Sequence, residues 1–448
     1  MKKLIVAFAL SITMLSQAAT IAVIDSGTDV EHVDFAGKIW NNLKEIADNG
    51  RDEDGNGYQD DVYGWNFAEQ NNLVIDRSYL GTFSDDPKRF FDIQGKAFLG
   101  QATPEDIEWM NEKRSDADFI KEVSKFGNFV HGTHVAGITV EGVYGAKILS
   151  VKIMPTEVKL PGSKSINKKF SLGLRDKALK TALNTLAKAQ VSLLEEAFFY
   201  VGQHKADIAN GSFGTGLDQL RRITDIMYRV IFFKKPNEEQ SVKTATYLMN
   251  RLITLGTKAV EGSPNTLFVF AAGNSGLDND KIPTSPTNIQ ADNVISVAAT
   301  YRYNFIAPFS NYGEETVDVA APGMLIHSQI PGNDYLKVSG TSQAAPYVAR
   351  IAGQIKDANP SLTPKEIKDI ILGTVDKKEF LKAKVKTNGI VNLDRAVYAA
   401  KLSLNMNLVK AITSSNNNIA DVAVVQEKGI STINPSAITP IQLPSLFK

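Results

Sequence analysis

The chain has 448 residues, 43% of them apolar, with 49 Lys+Arg balancing 49 Asp+Glu. That length supports a large core in one big domain or in two or three smaller ones, and zero net charge gives no global field for nucleic acid or an anionic membrane. The absence of cysteine excludes disulfides, thiolate zinc sites and a cysteine nucleophile, and says little about compartment.

Lys2 and Lys3 precede an apolar run from Leu4 to Leu15, and Ser16-Gln17-Ala18 sets small residues for a cut after Ala18. This is a secretory-signal pattern, too short for a membrane helix of ~20 residues. The expected location is secreted or periplasmic, with no membrane span once the signal is removed. Thr20 to Ile24 is a buried-strand pattern ending in Asp-Ser-Gly. Residues 48–61 are acidic and glycine-containing, hence a loop, and 84–128 are charged. Thr103-Pro104 pairs an N-cap with a first-position proline.

His131-Gly132-Thr133 is expected to open a helix of small residues, followed by a strand from Lys147 to Met154. A lysine-rich loop at 155–170 leads into a helical stretch with Leu174, Leu179, Leu183, Leu186, Val191 and Leu194 near helical spacing. Strands are expected at 206–214, 266–274 and 293–300, and helix over 217–260. Ser342 precedes another helical pattern, and Thr363-Pro364-Lys365-Glu366 reads as a capping box. Strands alternating with helices predict an α/β fold with a largely parallel sheet. From residue 403 the chain turns polar and proline-containing, which predicts an extended tail over 403–448, ordered only where it docks.

Four stretches carry chemistry: VIDSG at 23–27, HGTHVAG at 131–137, FAAGNSG at 270–276 and SGTSQAAP at 339–346. Each alone is ambiguous. Asp-Ser-Gly also suits pepsin-like aspartic proteases, but those need two such turns and one is present. His131 and His134 are spaced to share a metal, yet the carboxylate of a His-Glu-x-x-His site is missing. A lone Ser342 is most often an N-cap and a lone Asn274 a turn residue. Together the four supply a complete set. A serine hydroxyl needs an imidazole to take its proton, and the imidazole needs a carboxylate to hold its tautomer. The tetrahedral intermediate needs preorganised donors.

In this order the motifs resemble those of the subtilisin-like serine proteases, over roughly residues 20–402. The resemblance implies a three-layer α/β architecture: a mainly parallel central sheet with helices on both faces. It implies Asp25 as the orienting acid, His131 as the base and Ser342 as the nucleophile at a helix N-terminus. Asn274 and the Ser342 backbone N–H would be the oxyanion donors. NGSFG at 210–214 resembles the strand that pairs with extended substrate, so Ser212, Phe213 and Gly214 would bind peptide main chain. No cofactor is required for this chemistry. The expected partners are protein or peptide substrates, with no nucleic acid, and the expected state is a monomer.

The departures from the family pattern are specific. Gln343 follows the nucleophile where methionine is usual, and Arg350 stands in a helix expected to be buried, where it needs a partner or an exit to solvent. The long interval between Asp25 and His131 marks an insertion near 70–128, and a second is expected near 155–205. The calcium loop that follows the His helix in compact relatives is missing, so Asp34 loses its partners there. DEDGNGYQDD at 52–61 offers a replacement: Asp52, Asp54, Asn56, the Tyr58 carbonyl and Asp60 fall at EF-hand-like positions. Tyr63 stands where the bidentate glutamate belongs, with Asp61 as substitute. Structural calcium is therefore an expectation. A cut after Ala18 leaves no room for an N-terminal propeptide, so folding without one is expected. The reading is an exported serine endopeptidase. Its alternatives are a catalytically silent binding or scaffold relative, and a calcium-binding surface protein.

Overall fold

The computed structural model describes residues 19–157 and 172–424. The expected signal at 1–18, most of the 155–170 loop and residues 425–448 of the tail lie outside the described residues.

In chain order the elements are β1 Thr20–Asp25, β2 Gly64–Asn66, α1 Asp86–Phe98, α2 Pro104–Ser115, α3 Ala117–Val140, β3 Lys147–Lys152, α4 Leu172–Gln203, β4 Ile208–Gly211, α5 Leu217–Phe232, α6 Glu238–Glu261, β5 Leu267–Ala271 and β6 Val294–Tyr301. Then follow β7 Phe305–Ile306, β8 Val319–Pro322, β9 Ile326–Ile330, β10 Asp334–Val338, α7 Thr341–Ala358, α8 Pro364–Gly373, β11 Asp376–Lys377, β12 Gly389–Ile390, α9 Leu393–Leu402 and α10 Leu408–Asn418. The main sheet runs β11-β12-β8-β6-β5-β4-β1-β3-β2, with β7 on β6. All neighbours are parallel except β11–β12 and β6–β7. β9 and β10 form a separate antiparallel hairpin.

The central strands are continuous apolar runs because both faces are covered. Alternation along β1 shows it: Ile21 and Val23 enter one core with α3, α7, α8 and α9, while Ala22 and Ile24 enter the other with α4, α5 and α6. This is the three-layer α/β architecture.

Three local features differ from the sequence reading. α3 begins at Ala117, not at His131, because Asp116 caps it and Phe119, Val123, Phe126 and Val130 form a buried stripe. His131 is therefore mid-helix. The helical region 217–260 breaks in two: Phe233 takes a left-handed φ of 57° and Asn237 caps the next helix. The tail does not begin as extended chain. Asn407 caps α10, whose Ala411 and Ser415 are buried, and Ser415 Oγ donates to the Arg395 carbonyl at 2.6 Å. Packing overrides a polar composition there. Thr103 and Thr363 both form capping boxes, as their sequences predict.

The 70–128 segment supplies α1, α2 and the first half of α3, and α1 packs against α3 and β10. The 155–205 segment supplies α4, whose Leu183, Val191 and Phe198 build the core on one sheet face. It is structural helix rather than surface decoration. Among the described residues no helix is long and apolar enough to cross a membrane.

Candidate active site

The sheet sets the site. Asp25 ends β1, Ser212 follows β4, and Asn274 lies just past β5, all at the carboxyl ends of adjacent parallel strands. That edge is where open α/β sheets place their ligand crevices.

Asp25 is fully buried, and its Oδ1 lies 2.7 Å from His131 Nδ1. The Ser26 amide also donates to that oxygen at 2.7 Å. A carboxylate acceptor fixes the proton on Nδ1 and leaves Nε2 with its lone pair. The approach of α3 to the Asp-Ser-Gly turn depends on Gly132. A Cβ there would stand 2.1 Å from the Gly27 carbonyl oxygen. The Gly132 amide donates to Ser26 Oγ at 3.1 Å, tying helix to turn.

Ser342 is the second residue of α7, after the Gly340 N-cap and Thr341. Its Oγ donates to the Ser212 carbonyl at 3.2 Å, and Ser212 Oγ donates back to the Ser342 carbonyl at 2.8 Å. Asn210 Nδ2 in turn donates to Ser212 Oγ at 2.9 Å. Asn274 has one fixed orientation. Its Oδ1 accepts from the Thr341 amide at 2.9 Å and from Thr341 Oγ1 at 2.8 Å, so its Nδ2 is the end left for a ligand. Beside it lies a small cavity of about 50 Å³ with a mixed lining, bordered by Gly214, Leu217, Asp218, Leu277, Thr284 and Asn311. Thr284 and Asn311 carry no motif signal and are missed by sequence reasoning. Phe213 is buried in the core, so its side chain is not open to a ligand.

Gln343 is buried, and its Nε2 has no protein partner. Arg350 finds the relief its position demands: it pairs with exposed Glu141 and lies over the Tyr347 ring at 4.7 Å. His134 is fully enclosed and bonds backbone carbonyls. It shares no metal-ligand cluster with His131 among the described residues.

In the acidic loop, ligand atoms of Asp52 and Asp54 converge with Glu45 to within 4.8 Å. Glu45 precedes the motif and is missed by the EF-hand-like register. Burial first, then the neighbouring Asp61 and Glu53 carboxylates, push its carboxyl up, against the pull of the Asp54 and Glu53 amides. The other two expected ligands lie elsewhere. Asp60 accepts from the Asn49 and Gly50 amides at 3.0 Å each, and Asn56 turns its Nδ2 to Asp61 at 3.0 Å. Asp61 is buried and also accepts from Tyr200 Oη at 2.8 Å, which docks the loop on α4. Asp34 has new partners: Gln329 Nε2 at 2.8 Å and Tyr335 Oη at 2.9 Å, which hold its carboxyl below the usual range.

An aspartate ending a central parallel strand, a histidine on one packed helix and a serine at the start of another, in this chain order and with an asparagine beside the serine, define a hydrolase-like class of site. The Subtilase family model matches residues 16–396, and the chain belongs to that family. It is 26% identical to subtilisin-like protease 1 of Plasmodium falciparum (isolate 3D7) over 90% of its own length and 45% of that relative. It is 39% identical to the cell wall-associated protease of Bacillus subtilis (strain 168) over 26% of this chain and 12% of that one. The chain thus spans about half, or much less, of these relatives' lengths. A crystal structure of a lanthipeptide protease aligns with a TM-score of 0.48 and 16% identity, over 87% of this chain and 90% of the other.

Proposed function

We propose that the protein is an exported serine endopeptidase acting through an acyl-enzyme on Ser342. The observation that carries this reading is the Asp25–His131 hydrogen bond at 2.7 Å, which leaves His131 Nε2 free to accept a proton. Substrate main chain would run along Ser212, Phe213 and Gly214, and its amide N–H would take over the Ser212 carbonyl. That frees Ser342 Oγ to turn to His131 Nε2. The imidazole takes the hydroxyl proton as Oγ attacks the scissile carbonyl carbon. The oxyanion is held by Asn274 Nδ2–H and the Ser342 backbone N–H at the N-terminus of α7. The imidazolium then protonates the leaving amine, and water repeats the sequence to release the acid. The residue before the scissile bond would enter the small cavity beside Asn274.

The test is labelling of the mature chain by a fluorophosphonate. Wild type is expected to label and Ser342→Ala to lose both label and peptide hydrolysis. Full labelling of Ser342→Ala, or none of wild type, overturns the assignment, and the latter outcome leaves a silent binding protein.

We also propose structural calcium on Glu45, Asp52 and Asp54. An oxygen-only donor set of three converging carboxylates, one of them pushed toward protonation chiefly by burial, suits a hard cation. Calcium would supply the buried carboxylate with a counter-charge and stiffen the loop; it has no step in the chemistry. Export rests on Lys2, Lys3, the Leu4–Leu15 run and Ala18. Mass spectrometry of the exported protein, with an N-terminus at Ala19 expected, tests it.

A further inference from the structure

His134 lies one helical turn beyond His131 on α3, and its imidazole is enclosed. Its Nε2 is 3.0 Å from the Leu336 carbonyl and 3.2 Å from the Ile326 carbonyl. Two carbonyl acceptors require a donor, so Nε2 carries the proton and Nδ1 does not. Nδ1 is buried without a protein partner. His134 is thus a neutral, fixed N–H donor rather than an acid or base.

The two carbonyls belong to different strands. Ile326 opens β9, and Leu336 is the third residue of β10. One N–H therefore ties both legs of the hairpin, near its open end, to the helix that carries His131. Ser328 Oγ of β9 closes the contact in the other direction, donating to the His134 carbonyl at 2.8 Å. A turn later, Gly137 lets the hairpin lie directly on α3: a Cβ there would stand 2.4 Å from Ser328 Oγ, the atom that bonds the His134 carbonyl. Helix and hairpin are held by packing and by three hydrogen bonds centred on one residue.

The hairpin leads straight to the nucleophile. β10 ends at Val338, and Ser339, Gly340 and Thr341 connect it to Ser342. This connector is itself fixed to the start of the hairpin: the Leu325 amide donates to Ser339 Oγ at 2.9 Å and the Gly340 amide to the Gly323 carbonyl at 2.8 Å. A shift of the hairpin along α3 would therefore change the separation of Ser342 and His131, and misplacement of reacting groups by ~1 Å costs ~10²-fold in rate.

We propose that His134 is a positioning residue that sets the spacing between the base-bearing helix and the nucleophile, an inference that rests on the serine-hydrolase reading above. The experiment compares wild type, His134→Leu and His134→Gln in the full chain. Leucine removes the donor; glutamine can place an amide N–H near the Nε2 position. Fluorophosphonate inactivation is measured as separate kinact and KI, across pH, beside circular dichroism of each variant. His134→Leu is expected to lose ~10²-fold in kinact while KI changes by less than about two-fold. His134→Gln is expected to stay within about five-fold of wild type. The midpoint of the acid limb is expected at the same pH in all three, because His134 does not exchange the reacting proton. A wild-type kinact in folded His134→Leu, a His134→Gln as slow as the leucine variant, or a shifted acid limb each overturns the proposal. If His134→Leu does not fold, His134→Gln decides alone: a folded protein slowed ~10²-fold despite its donor overturns it. Wild type that never labels sinks the hydrolase reading and this one with it. Labelled wild type with an indifferent leucine variant sinks only this one.

Discussion

Ser212 and Ser342 exchange hydrogen bonds, hydroxyl to carbonyl in each direction, at 2.8 and 3.2 Å. The cause lies four residues further on. Pro346 stands inside α7 where an N–H would otherwise bond the Ser342 carbonyl. Proline has none, so that buried carbonyl needs another donor, and Ser212 Oγ supplies it. The arrangement ties the end of β4 to the first turn of α7. Ser212→Ala is expected to orphan the carbonyl and cost about 1–3 kcal/mol of stability. Hydrolysis is expected to fall about ten-fold as Ser342 loses its anchor. Urea unfolding and kcat/KM on a peptide substrate check both, and unchanged values of both would contradict the structural account.

Asn274 makes a sharper prediction, because its two amide ends have separate jobs. Oδ1 is held by Thr341, and Nδ2 faces the site. Asn274→Asp keeps an oxygen for Thr341 but replaces the outward donor with a carboxylate oxygen, which would also repel the oxyanion. It should therefore lose at least ~10²–10³ in kcat with little change in KM, as expected for a group that acts on the developing oxyanion. A loss confined to KM would assign Asn274 to ground-state binding instead.

How much of this was legible in the sequence depended on the scale of the interaction involved. Buried strands such as LFVFA announce themselves because both faces of a parallel sheet must be apolar. Asp25, His131, Ser342 and Asn274 were singled out because four motifs in this order resemble those of the subtilisin-like proteases; the structure brings Asp25 and His131 to 2.7 Å. The start of α3 was missed because FIKEVSKF is charged enough to pass for surface, and its buried stripe emerges only at helical spacing. α10 was missed because Asn and Ser are weak helix formers, and contact with Arg395 decides their state. Glu45 was missed because it joins Asp52 and Asp54 through folding of the loop, not through any fixed register.

The acidic loop gives a metal prediction that does not depend on hydrolysis. With calcium bound, the buried Glu45 carboxylate gains a counter-charge, and the loop gains stability by mass action. EGTA is expected to lower Tm by several degrees and to speed proteolytic nicking within 42–61. Glu45→Gln should abolish both effects of EGTA, whereas Asp60→Asn should weaken the 49–50 turn and leave calcium sensitivity in place. Calorimetry showing no calcium uptake by wild type would end the proposal.

His134 makes the fold sensitive to acid in a defined window. Burial, the largest effect, pushes its pKa from the ordinary 6.5 down to about 3. Below pH 6.5 the unfolded chain takes up a proton that the folded chain refuses until about pH 3, so the unfolded state binds more protons throughout this interval. Stability is then fully present above pH 6.5 and drains away as pH falls toward 3, by up to roughly a few kcal/mol from this one group. Carboxylates titrating in the same interval add their own slopes, so the wild-type curve alone cannot isolate the contribution. The difference between wild type and His134→Gln does, since glutamine does not titrate. Tm is expected to fall less between about pH 7 and about pH 4 in the glutamine variant than in wild type. Parallel curves for the two proteins would mean that the imidazole is protonated in the folded state, which would be incompatible with its sharing one N–H between the carbonyls of Ile326 and Leu336 while Nδ1 stays bare.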